Sequence, residues 1–291
     1  MYIDDLLQSY IKSPIYGYAD DTKLFCVSNS LANCEDLQVS LNQVVQWSLD
    51  CQLALAIEKC GVLYLGHNNK KFHYSIDGIN IHPFVSHCDL GVTFDNLLKY
   101  NNHYSQMVQK AHRIANLILK CFTCKVLSVL VKAFVTYARP LLEFSSEVWC
   151  PYLKTDIRII ESVQRRFTKR LPGLYGLSYQ ERLNVLKLES LELRRVKIDL
   201  RCCFKVLNEI SFSGPLPPLL RLCKDRHARG HSKKLTWPTP RLNCRHNHFI
   251  LRVGRVWNEL PESVVMASTV QNFNRKMQKL TFEDYLDLEF Y

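Results

Sequence analysis

No stretch of the 291 residues stays free of charge for the ~20 positions that a membrane-spanning helix needs. The most apolar segment, Ile114–Val135, is broken by Lys120, Lys125 and Lys132, so a membrane is not an expected partner. A secretory leader is not expected either, because Asp4 and Asp5 stand where its basic start would be. The expected compartment is the nucleus or cytoplasm. There its twelve cysteines read as reduced thiols and not as a disulfide framework. Cys223, His227 and His231, then Cys244, His246 and His248, lie close in sequence. They lack the paired close cysteines usual in structural zinc, and no zinc is expected. Cys121-x-x-Cys124 has no partner pair and sits in a helical pattern, where buried thiols are expected. The glycines build no phosphate loop: Gly173 and Gly176 fall in Pro172–Leu177, a turn between helices. No internal repeat is present.

Charge is unevenly placed. Residues 1–100 carry 6 Lys/Arg against 11 Asp/Glu, whereas 101–291 carry 32 against 16, for a formal net charge of +11. An acidic head before a basic body suits metal chemistry beside a polyanion track. A basic surface that only aids solubility is the bland alternative.

The head is patterned as α+β. Tyr18-Ala19-Asp20-Asp21 lies between two apolar, β-prone runs, which reads as strand, tight turn, strand. Two carboxylates at such a tip need solvent or a cation, and hard divalent ions take carboxylate oxygens. Asn33–Ser48 has a helical stripe (Leu37, Leu41, Val44, Val45, Trp47) with Asn33 as its cap. Leu53–Ile57 and Val62–Leu65 read as strands, Phe72–Ile81 as a hairpin about Asp77-Gly78, and Leu90–Phe94 as a further strand. The body is helical: Val108–Lys120, Val126–Tyr137, Asp156–Leu171 and Glu192–Ile210 are periodic. Arg194, Lys197, Arg201 and Lys205 line up on the last of these, as a phosphate-tracking stripe or a solvated face. Phe212–Leu220 is a Pro-rich linker, and Arg221–Arg255 mixes basic residues with Trp237 and nearby Trp257, which suits single-stranded nucleic acid.

Many of these segments, in this order, resemble the reverse transcriptase of LINE-type (non-LTR, Jockey-like) retrotransposons. Tyr2-Ile3-Asp4-Asp5-Leu6 is similar to the family's Tyr-Ile-Asn-Asp-Leu, and Tyr18–Leu24 to its Phe-Ala-Asp-Asp-Thr-Lys-Leu. Trp47, then Ile57–Cys60, resemble the Trp and the Asn-x-x-Lys-Cys that follow. Asp89-Leu90-Gly91-Val92 looks like the primer-grip hairpin. Tyr137–Phe144 and Val148–Pro151 resemble the thumb signature, and Glu161–Thr168, Ser178-Tyr179, Ser190–Arg195 and Trp257–Pro261 continue the likeness.

The resemblance implies a partial polymerase palm over 1–96, a helical thumb over 97–155 and a basic, mainly helical region over 156–291. It implies that Asp20 and Asp21 hold Mg²⁺ (or Mn²⁺) for two-metal nucleotidyl transfer, with an RNA template and a DNA primer as partners. Lys59 takes the place of a Lys suited to protonating the leaving group, and Leu90, Gly91 and Val92 that of the primer grip. In the family, the fingers and the strand with a third essential Asp come before the equivalent of Tyr2. The expectation for this chain is therefore absent or very weak polymerisation. A non-catalytic nucleic-acid-binding remnant is the alternative.

Overall fold

The computed structural model describes residues 5–7, 11–208, 210, 221–223, 230–237, 239 and 246–288, in a mixed α+β arrangement. They fall into two units, Met1–Asn102 and His103–Tyr291.

In the first unit, β1 (Ile15–Tyr18) and β2 (Asp21–Leu24) form an antiparallel hairpin whose register pairs Tyr18 with Asp21. Helix α1 (Leu31–Asp50) follows. Its cap is Ser30, whose hydroxyl accepts from the Asn33 amide at 3.2 Å, so the expected cap at Asn33 moves back three residues. Asn33 instead turns its side-chain amide to the Val27 carbonyl at 2.8 Å. Leu53–Ile57 is not a strand: the Leu53 amide returns to the Ser48 carbonyl at 2.8 Å to close the helix end, and a 3₁₀ turn at Ile57–Lys59 comes next. Strand β3 (Gly61–Leu63) pairs in parallel with β6 (His82–Phe84). A Cβ at Gly61 would lie 2.0 Å from the Phe84 ring, so glycine is what lets these strands meet.

Two further hairpins complete the unit. Strands β4 (Ser75–Ile76) and β5 (Ile79–Asn80) flank Asp77-Gly78, and both turn residues have positive φ, +51° and +74°, as a type I′ turn requires. Strands β7 (Ser86–Asp89) and β8 (Val92–Asp95) flank Leu90-Gly91, again at positive φ, +46° and +83°. Leu90 and Gly91 are thus turn, not the start of a strand. The small core is Cys34, Leu37 and Tyr74 with Leu24, Cys26, Val62 and Phe72 packed on it.

The second unit is helical. Helix α2 (Asn101–Cys121) begins at the unit boundary and buries Tyr104, Met107, Val108, Ala111, Ala115 and Ile118 along one face. Helix α3 (Leu127–Ala133) widens into a π-helical turn over Phe134–Ala138 and then tightens to 3₁₀ over Arg139–Leu142. Pro140 lacks the amide that an α-helix would return to Thr136, so α-helical bonding cannot resume there. Helix α4 (Ser146–Trp149) places Trp149, whose carbonyl accepts from Tyr104 Oη at 2.7 Å. In α5 (Lys154–Lys169), Ile157, Ile160, Val163 and Phe167 are all buried, the face the periodicity predicts. Helix α6 (Tyr179–Leu186) opens on a capping box between Ser178 and Glu181.

Helix α7 (Leu191–Leu207) is capped by Ser190 and is the centre of the larger core. Leu200, Cys203 and Phe204 pack there with α8 (Phe249–Glu259), α9 (Glu262–Val265) and α10 (Val270–Met277). A two-residue ladder, β9 (Arg221–Leu222) with β10 (Leu235–Thr236), lies before α8. The segments expected as thumb (97–155) and C-terminal region (156–291) share this unit, apart from residues 97–102, which belong to the first. The Pro-rich segment Phe212–Leu220 lies outside the described residues, as do Tyr2, Ile3 and Asp4.

Candidate functional site

The β1–β2 turn is two residues long, Ala19-Asp20, and Ala19 takes a positive φ of +54°. Side chains alternate along the hairpin, so Tyr16, Tyr18, Asp21, Lys23 and Phe25 share one face. Leu24 and Cys26 face the core on the other. Asp20 and Asp21 are both exposed, and beside them Tyr16 and Tyr18 are each 63% exposed. Tyr16 meets Phe25 edge to face at 5.6 Å between ring centroids.

Lys23 Nζ reaches Asp89 Oδ1 at 2.5 Å. This ion pair joins the Asp20-Asp21 hairpin to the Leu90-Gly91 hairpin, two segments to which the resemblance gives separate roles. At the second hairpin Leu90 is 49% exposed while Val92 is buried, so the turn projects and its following strand anchors it. Asp95 ends that strand and accepts from the amides of Leu97 at 2.9 Å and Tyr100 at 2.7 Å, which fixes the exit of the chain. Lys59 ends the 3₁₀ turn, exposed to solvent.

Asp20 and Asp21 supply the oxygen donors that hard divalent ions take, so the donor type fits Mg²⁺ or Mn²⁺. The donor number does not close a site. Among the described residues no three His, Cys, Asp or Glu side chains form a metal-holding group. Two carboxylates would leave most of an octahedral shell to water and other oxygen donors.

The basic stripe on α7 has a different environment from either one expected. Arg194 pairs with Glu143, its Nη2 lying 3.0 Å from Oε2, and with Glu189 at 3.4 Å. Lys197 is buried and reaches Glu189 at 2.5 Å. Arg201 donates from Nε to Asn274 Oδ1 at 3.0 Å, and Lys205 is half-buried. Arg194, Lys197 and Arg201 therefore have internal partners, so they form neither a solvated face nor an open phosphate track.

Three buried carboxyls around α7 escape sequence reasoning, because their partners are remote in sequence. Glu161 accepts from Tyr179 Oη at 2.5 Å and from the amides of Leu191 and Glu192 at 3.1 and 3.2 Å. Burial raises its carboxyl above the usual range, and the hydrogen bonds and Arg195 partly oppose this. Glu192 accepts from the Asp287 and Leu288 amides at 2.6 and 3.3 Å, pinning the 286–288 segment; burial raises its carboxyl too. Asp199 is likewise raised by burial and held down by Arg252, which grips both its oxygens at 2.7 and 3.1 Å.

The thiols differ from expectation at one place. Cys121 and Cys124 are exposed, not buried, because α2 ends at Cys121 and the chain crosses to α3 as a loop. At the expected non-zinc cluster, His231 is buried and its Nε2 lies 2.9 Å from the Trp257 carbonyl oxygen. His227 and Cys244 lie outside the described residues.

No family model matches the chain, and no solved structure matches it. It is similar to a Caenorhabditis elegans protein described as uncharacterized, with 25% identity over 123 residues. The match covers 41% of this chain and 62% of that protein, so it spans less than two thirds of the relative's length. No helix among the described residues is long and apolar enough to cross a membrane.

Proposed function

We propose that this chain is part of the RNA-directed DNA polymerase of a LINE-type, Jockey-like retrotransposon, working on an RNA template and a DNA primer. The observation that carries this reading is the pairing of two hairpins. A hairpin with exposed Asp20 in its turn and exposed Asp21 opening β2 is tied by Lys23–Asp89 to a second projecting turn at Leu90-Gly91. In this reading 1–96 is part of a palm, and the helices up to Pro151 belong to a thumb. Asp20 and Asp21 hold the divalent ions, which when bound polarise the primer hydroxyl and offset charge on the leaving group. Lys59 donates a proton to the departing pyrophosphate oxygen, and the Leu90–Val92 turn presents its backbone to the primer end. Two carboxylates from one turn fix the ions poorly, so extension by this chain alone is absent or very weak.

The alternative, nucleic-acid binding without catalysis, is favoured by the excess of 32 Lys/Arg over 16 Asp/Glu in 101–291. Both readings predict binding of an RNA–DNA template–primer that weakens steeply with salt, since each neutralised phosphate releases counterions. Primer extension with Mg²⁺ or Mn²⁺ separates them. Strong product that vanishes in Asp20→Ala would overturn the predicted lack of activity and support the polymerase reading. Absent extension or a weak, Asp20-dependent signal is the result the proposal expects, and only the second sets it apart from binding without catalysis. Extension indifferent to Asp20 and Asp21 would refute the assigned site, and no template–primer binding at low salt would refute both readings.

A further inference from the structure

We propose that the groove between α3 and α6 docks an acidic amphipathic helix of a partner protein. It is a cleft of about 400 Å³. Leu127, Val131 and Val135 form one wall, spaced four apart and half-buried. Val135 lies in the π-helical turn, a departure from regular helix that is frequent at functional sites. Val185 and Leu186 from the end of α6 form the opposite wall, and Val185 is 55% exposed. Apart from exposed Ser128, these side chains make an aliphatic strip along the cleft that the fold leaves open.

Charge and shape select the occupant. Lys132 and Lys187 line the cleft, both are exposed, and no acidic residue lines it. A ligand with carboxylates beside its apolar side chains complements that pattern. The exposure of Lys132, Val185 and Lys187 leaves one side open, so the cleft cannot enclose a small molecule, whose sites cover most of the ligand surface. A helix needs only one face covered, with anchors about one turn apart, which matches the spacing of the α3 wall. A nucleic acid fits less well. Lys132 and Lys187 could meet phosphates, but no aromatic side chain lines the cleft to stack on a base, and its aliphatic strip would stay uncovered.

The test uses the whole chain and fluorescence anisotropy. The probe is a labelled helical peptide with leucines at i, i+4 and i+7 and glutamates flanking them. A control peptide keeps the glutamates and replaces the leucines by serine. Saturable binding of the first peptide is expected, weaker by about tenfold or more for the serine peptide. The double variant Lys132→Glu/Lys187→Glu should weaken it by a similar factor, and Val131→Asp should do the same. Far-UV circular dichroism should show the Lys variant folded, since both positions are exposed. Absence of saturable binding would overturn the proposal. So would equal binding of the serine peptide, or indifference to the Lys reversal, because each reduces the effect to general attraction by a basic protein. Displacement of the peptide by polyuridylate, with loss in the same variants, would assign the groove to nucleic acid instead and also overturn it.

Discussion

Arg252→Met removes the guanidinium that ties α4, α7 and α8 together while keeping a side chain of similar length. In the folded chain, Arg252 Nε and Nη2 hold the two Asp199 oxygens at 2.7 and 3.1 Å. Nη2 also reaches the Glu147 carbonyl at 2.8 Å, and Nη1 the Asn247 carbonyl at 3.0 Å. Asp199 is 4% exposed, so without Arg252 its charge is stranded where water cannot compensate it. Breaking one side of a buried pair costs ~3–5 kcal/mol. For an unfolding slope of about 2 kcal/mol/M in urea, the midpoint should fall by about 1.5–2.5 M. The assay is urea denaturation followed by circular dichroism near neutral pH. The deficit should shrink at acid pH, where Asp199 protonates and the stranded charge disappears. Arg252→Met/Asp199→Leu should recover part of the loss, since neither charge is then left alone. A loss under about 1 kcal/mol, or a double variant no better than the single, would refute the reasoning.

Glu161→Gln should cost ~1–3 kcal/mol, because the new amide faces the Glu192 N–H and one buried hydrogen bond is lost. The folded carboxyl is raised, so the part of stability it contributes is full below about pH 4.3 and is lost as pH rises through the folded value. The gap between wild type and Glu161→Gln in urea melts should therefore be largest in acid and narrow toward neutrality. Lys23→Met should destabilise the first unit by only ~0.2–1 kcal/mol, and less at high salt, because the Lys23–Asp89 pair is partly solvated. A double-mutant cycle with Asp89→Asn, read by thermal melting, isolates that coupling; a coupling of zero at low salt would show that the hairpins are not joined through it. Leu90→Asn should raise the melting temperature, since a leucine at φ +46° bears a left-handed cost of ~1–2 kcal/mol that Asn largely escapes. A lower melting temperature would place the tightness of that turn elsewhere.

What could be read in the sequence depended on whether the cause was local. Asp77-Gly78 marks its own hairpin because both residues tolerate positive φ, and the hairpin is there. Leu90-Gly91 makes the same turn, yet a leucine in a β-prone run looks like strand, so the turn was hidden by its side chain. The α5 face at Ile157, Ile160, Val163 and Phe167 was legible from period alone. The stripe on α7 had the same kind of periodicity. There the deciding partners, Glu143 and Glu189, come from other elements, and no helical period contains them. Glu161 and Asp199 were invisible for the same reason: a charged residue reads as surface until the fold supplies Tyr179 or Arg252. For the candidate site, a hairpin could be read from the runs on either side of Asp20-Asp21, although its turn is Ala19-Asp20 and Asp21 already opens β2. Its link through Lys23 to Asp89 could not, because the two residues are far apart in the chain.

Manganese binding tests the assignment of Asp20 and Asp21 without requiring catalysis. Free Mn²⁺ can be followed by electron paramagnetic resonance as the chain is titrated in the presence of an RNA–DNA template–primer, beside the variant Asp20→Asn/Asp21→Asn. The assignment predicts that the chain takes up Mn²⁺ above the level of the nucleic acid alone and that the variant loses this uptake. Equal uptake by the two proteins would contradict it.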